Sequence, residues 1–200
     1  MTRKTALIAL LPLLLLLPMC SGSDDGSDSP AGPSGSRQAK LRVLLTDKPT
    51  EELSAVWVTI AAVRVHQSAG AEDGEGGWIE LPVTAAAMPV DLLTLQNGVL
   101  LPLCGPTPLP AGNYQQVRLV LTPNTGTAAP FNNYVTSTAG DIPIDVPSGS
   151  IKILHLLSTV EGQTTELTLD FDASQSVKQR GNGTYFMQPV IKASNGPAAG

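Results

Sequence analysis

From Lys40 to Lys192 apolar side chains recur at every second position: Leu41, Val43 and Leu45; Val56, Val58 and Ile60; Val117, Leu119 and Leu121; Ile142, Ile144 and Val146; Leu167, Leu169 and Phe171. Successive side chains of an extended strand point to opposite faces, so each of these runs has one face to hide. Within Val56–Val65 the phase flips after Ala61-Ala62, where Val63 and Val65 become the apolar positions and Arg64 and His66 fall between them. A one-residue slip inside a continuous strand predicts a β-bulge there. Shorter candidate strands lie at 78–81, 151–154 and 185–192, and Tyr114 to Thr122 alternates with Gln116 and Arg118 on its polar phase. Turn signals separate these runs, among them Gln96-Asn97-Gly98, Pro110-Ala111-Gly112-Asn113 and Arg180-Gly181-Asn182-Gly183. Seventeen prolines and 19 glycines argue against long helices, leaving room for single helical turns at Thr50–Ser54 and near Leu92–Leu95. The reading is an all-β chain forming a single antiparallel β-sandwich of about 7–9 strands, transthyretin-like or immunoglobulin-like.

The first 39 residues are of another kind. Arg3 and Lys4 precede a continuously apolar stretch at 6–19 that holds Pro12 and Pro18. A positive start followed by about 14 apolar residues is the signature of a secretory signal, and it is short of the roughly 20 needed to span a bilayer. Leu17-Pro18-Met19-Cys20-Ser21 resembles a bacterial lipobox, with Met19 standing where a small residue is usual. Cys20 is therefore the expected lipidation site and the expected mature N-terminus. Each buried methylene of an acyl chain such as palmitate contributes about 0.8 kcal/mol of membrane affinity, so several chains anchor stably. Residues 21–39 are almost wholly Ser, Gly, Asp and Pro and cannot bury a core. As a flexible coil they span about 25 Å root-mean-square. The expected organisation is a lipoprotein signal peptide at 1–19, lipidated Cys20 with a disordered tether to 39, the β-sandwich at 40–193 and a disordered tail at 194–200. With no Asp just after Cys20, resemblance to sorting rules favours the outer membrane of the cell envelope.

Without Arg3 and Lys4, ten basic residues stand against 17 acidic ones. No cluster of Lys and Arg offers a phosphate-binding surface, so nucleic acid is excluded as an expected partner. The two cysteines, Cys20 and Cys104, match neither a disulfide framework nor a metal-ligand spacing. If Cys20 is acylated, Cys104 has no partner and reads as a small buried hydrophobe.

Nucleophilic catalysis needs a base and an orienting acid. Only His66 and His155 are available as imidazole bases, and neither sits in a nucleophile-elbow context. The strongest polar set is Asp170 and Asp172 on one strand phase, with Asp47 in the turn after the first strand. Ser174, Ser176 and Asn182 follow nearby. Hard oxygen ligands of this kind suit calcium, which takes six to eight of them; the competing reading is that these carboxylates accept backbone N–H groups and organise the loops. Trp57 and Trp78 are the candidates for a sugar platform. No other cofactor is indicated.

The residues also resemble a known family. Leu44-Leu45-Thr46-Asp47-Lys48-Pro49, Val56 to Val65, Asp91-Leu92-Leu93-Thr94-Leu95-Gln96-Asn97-Gly98, Leu109 to Leu119, Val146-Pro147-Ser148-Gly149, Leu169 to Val177 and Gly181-Asn182-Gly183-Thr184-Tyr185 are similar, in that order, to the bacterial DUF4382 domain family. That family implies an exported lipoprotein and carries no assigned activity. A fainter likeness, Leu-Pro-x-Gly-x-Tyr before an alternating strand, resembles transthyretin-like and carboxypeptidase-regulatory-like sandwiches. The functional expectation is thus a membrane-anchored envelope lipoprotein that acts as a non-catalytic binding or structural module toward an envelope protein or polysaccharide. The alternatives are a calcium-binding or carbohydrate-binding surface domain and, in a different class, an envelope-polymer hydrolase.

Overall fold

The computed structural model describes residues 38–48, 53–84 and 88–196. The expected signal peptide, Cys20, nearly all of the tether, residues 50–52 of the expected turn at Thr50–Ser54 and the last four residues lie outside the described residues.

Thirteen strands form: β1 (Ala39–Asp47), β2 (Ala55–His66), β3 (Ile79–Leu81), β4 (Pro89–Asp91), β5 (Leu101–Leu109), β6 (Gly112–Leu121), β7 (Tyr134–Ser137), β8 (Gly140–Asp145), β9 (Ser150–Thr159), β10 (Thr164–Phe171), β11 (Val177–Gln179), β12 (Tyr185–Met187) and β13 (Ile191–Asn195). A 3-10 turn at Leu92–Leu95 and one helical turn, α1 (Ala173–Ser176), complete the list. Among the described residues the strands run from Ala39 to Asn195. A four-stranded sheet has the order β13-β10-β1-β5, and a nine-stranded sheet the order β11-β12-β8-β7-β2-β6-β9, with β3 and β4 added alongside β2. Side chains of both sheets meet in one apolar core. The architecture is the all-β sandwich that the alternation implies.

The alternating positions are the buried ones. Leu41, Val43, Leu45, Val56, Val58 and Ile60 are all essentially inaccessible. The phase flip in β2 is a real irregularity: the pairing with β6 shifts between Ile60 and Ala62, and Ala61 is left exposed. Strand direction is less local. β1 pairs with β10 in parallel, as β8 does with β12, so both sheets are mixed and not purely antiparallel. Alternation reports which side a residue faces and carries no information on the direction of the neighbouring strand.

β5 carries Pro102, Pro106 and Pro108 and still forms a strand. It is the edge of the smaller sheet, where a residue without N–H leaves no partner unbonded. Cys104, midway along it, is fully buried and free, and burial pushes its thiol pKa up to about 12. At the start of β6, Tyr114 is fully buried and its hydroxyl donates to Pro110 O four residues back at 2.8 Å, pinning the Pro110–Asn113 turn to the core. The device is the tyrosine corner seen in other sandwiches.

Candidate functional site

The three carboxylates proposed as calcium ligands do not share a centre. In the parallel β1–β10 ladder Asp47 stands opposite Phe171, on the core side, whereas Asp170 stands opposite Thr46, one residue out of phase. Asp47 is buried and its Oδ1 accepts the Ala173 N–H at 2.9 Å, with Gln96 Nε2 at 3.5 Å from Oδ2. Desolvation pushes its pKa up to about 6, the Ala173 N–H lowers it, and the Asp172 charge adds to the rise. Asp172 caps α1: its Oδ1 accepts Gln175 N–H and Ser174 Oγ–H, and its Oδ2 accepts Gln175 Nε2 and Lys48 Nζ. Burial opposes ionisation of Asp172, but these hydrogen bonds and the Lys48 charge outweigh it and leave its pKa lowered. Asp170, half-buried, lines a small pocket with Asp172, Lys48 and Lys192, and Asp47 is not part of it. Each lone pair a cation would need at Asp172 already receives a donor. Among the described residues no three His, Cys, Asp or Glu side chains gather as a metal-binding group.

The histidines lie apart and work locally. His66 accepts the Ser68 N–H at Nδ1 (2.9 Å), holds Gly76 O at 3.1 Å from Nε2 and packs on Trp78. His155 places Nε2 2.9 Å from Asn195 Oδ1. Among the described residues neither is hydrogen-bonded to a Ser, Thr or Cys side chain.

Trp78 helps to bury an unexpected pair. Gln116 and Arg118, on the polar phase of β6, are buried because residues 67–78 fold across that face. Arg118 and Gln116 both donate to Ala71 O, Arg118 pairs with Asp73, and its guanidinium lies 4.9 Å from the Trp78 ring. Gln116 Oε1 and Arg118 Nε have no hydrogen-bond partner among the described residues. With His66 and Arg118 against its ring, Trp78 is occupied by packing. Trp57, on the outer face of β2, stacks on Tyr134 across the β2–β7 ladder, centroids 5.7 Å apart and planes 13° off parallel, which uses one face of each ring.

A groove of about 510 Å³ opens instead where the end of β6, β8 and the β11–β12 hairpin meet. Pro123, Pro143 and Val146 contribute apolar surface to it above the buried Leu121 and Ile144, and Asn124 and Asn133 form a polar wall. Asn124 is saturated: Oδ1 accepts Asn132 N–H and Asn133 N–H, and Nδ2 donates to Asn133 O and Ile144 O. Asn133 in turn ties Thr59 N–H to Thr122 O. The wall is therefore rigid. The opposite rim carries Arg180, Asn182, Thr184 and Tyr185. Arg180 pairs with Asp145 at 2.9 Å and lies over the Phe186 ring at 4.7 Å. Asn182 Oδ1 accepts Thr184 N–H and Oγ–H, and among the described residues neither its Nδ2 nor the Tyr185 hydroxyl has a hydrogen-bond partner. In the sequence Asn182 reads as a turn residue and a loop oxygen, and Tyr185 as the start of a strand. The parallel Tyr185–Ile144 pairing that makes them a rim joins residues 41 apart and has no local signature.

No curated protein and no solved structure matches the chain. A family model does, over residues 38–189, which is nearly the whole folded unit. The chain belongs to the family described as Domain of unknown function (DUF4382).

Proposed function

We propose that this chain is an exported, lipid-anchored binding module of the bacterial cell envelope, held by Cys20 and without catalysis of its own. The observation that carries the reading is where the groove lies relative to the incoming chain. Gln38 O accepts the Gly162 N–H, just beyond the end of β9, and Gly112 at the start of β6 pairs with Thr159 at that same end. β6 then runs to Leu121 on the groove, ten residues at about 3.3 Å each, or roughly 30 Å away. The groove thus lies at the end of β6 opposite the one beside Gln38. Both histidines lie outside the groove lining, and the groove's one ion pair is spent on itself, which favours binding over turnover. Membrane fractionation tests the anchor. The full-length chain is expected in the membrane pellet and its Cys20→Ser variant in the soluble envelope fraction. Equal partition of the two would overturn the anchored reading.

A further inference from the structure

We propose that the groove between β6, β8 and the β11–β12 hairpin is a binding site for a neutral polyhydroxyl ligand, a segment of uncharged glycan, with the Tyr185 hydroxyl and the Asn182 amide as its principal polar contacts. The inference rests on the binding-module reading above and names what the module takes.

Three features select this ligand class. Charge is the first. The lining holds one carboxylate and one guanidinium, Asp145 and Arg180, and they neutralise each other at 2.9 Å. The groove therefore has no net charge with which to draw in an anion or a cation. Hydrogen-bond valence is the second. The wall side chains Asn124 and Asn133 are committed to backbone groups, while Tyr185 Oη and Asn182 Nδ2 on the rim are not. A hydroxyl both donates and accepts, so it satisfies a phenol and an amide alike. The exposed rings of Pro123 and Pro143 and the half-buried Val146 suit the C–H face of a sugar ring.

Backbone availability is the third, and it argues against an extended peptide. Peptide addition to a sheet needs an unpaired edge. Beside the groove β8 is paired by β7 and, at Ile144 and Asp145, by β12, and β6 is paired by β2 and β9. Leu121 N–H and Thr122 N–H are bonded to Gly149 O and Thr59 O. Recognition in this groove must go through side chains.

The test titrates the full-length chain, in a sugar-free detergent, with laminari-, cello-, chito- and maltohexaose by calorimetry, with polygalacturonate as the anionic comparison. At least one neutral oligosaccharide is expected to bind, and Tyr185→Phe and Asn182→Asp are each expected to weaken it by about tenfold, the loss of one hydrogen bond. Asn182→Asp keeps an oxygen for Thr184 and replaces the donor by a charged acceptor. Unchanged urea midpoints for both variants separate lost contacts from lost folding. The proposal is overturned if none of the neutral oligosaccharides binds, if both variants bind as tightly as the parent, or if polygalacturonate binds as well as they do. None of these outcomes bears on the partition of the Cys20→Ser variant, so the anchor and the ligand stand or fall separately.

Discussion

Replacing Asp47 by Asn is expected to flatten the pH dependence of stability between about pH 4 and pH 7. The carboxyl ends β1 opposite Phe171, almost wholly buried, and its pKa rises from 3.8 to about 6. In the unfolded chain it returns to an ordinary carboxyl, near 3.9. The native state therefore holds this proton more tightly than the unfolded state. The stabilisation that follows is complete below about pH 4 and is lost as pH rises through 6. Two pKa units at 1.36 kcal/mol each give a loss of about 3 kcal/mol by neutral pH, as an order of magnitude. Asp172, 3.2 Å from Lys48 Nζ, has the opposite sign: its pKa is lowered, so its contribution is present above 3.8 and disappears only in more acid solution. The two windows do not overlap. Asn at 47 keeps an oxygen for the Ala173 N–H and carries no charge to desolvate. Urea unfolding of both proteins at pH 4.5, 6 and 7.5 gives the stability difference at each pH. Every other ionising group is common to both proteins and drops out. The difference is expected to move in favour of the variant by about 2 to 3 kcal/mol across that range. A difference that stays constant with pH would refute the claim that burial of this carboxyl governs its ionisation.

Tyr114→Phe removes the hydroxyl bonded to Pro110 O, but that carbonyl keeps Thr159 Oγ1 at 3.3 Å, so urea unfolding should show a loss of only about 1 kcal/mol. Gly77 has φ +94° and a Cβ there would sit 2.9 Å from His66 Nε2, whereas Gly76 has open space around it. Gly77→Ala should therefore lower stability by about 1–2 kcal/mol and Gly76→Ala by far less, read from the same unfolding curves. Because Asp47, Asp170 and Asp172 do not converge, millimolar calcium should leave the thermal midpoint unchanged; a clear rise would place a native-state cation site in the domain.

What was legible in the sequence is what depends on neighbours along the chain. The buried positions of β1 and β2, the bulge at Ala61 and the turn at Leu92–Leu95 all follow from spacing. β5 was not legible, because three prolines speak against a strand unless it lies at an edge, and edge status is set by what fails to pair with it. Gln116 and Arg118 read as solvated for the same reason. Alternation assigns them to the outer face of β6, and only the fold of residues 67–78 back across that face buries them.

The carboxylates and the groove show why residue type misleads where hydrogen-bond valence does not. Asp47, Asp170 and Asp172 attract notice as chemistry, yet Asp47 and Asp172 spend their oxygens on Ala173, Gln175, Ser174, Gln96 and Lys48, holding the end of β10 to β1. Asn124 does the same for the groove wall with all four of its hydrogen bonds. A polar side chain whose donors and acceptors close within the protein has nothing left to offer a ligand unless an internal bond is broken, at a cost comparable to the bond gained. Tyr185 and Asn182 keep a free hydroxyl and a free amide beside a wall that cannot relax to meet them. In the binding reading proposed above, that unspent capacity is what a ligand would use.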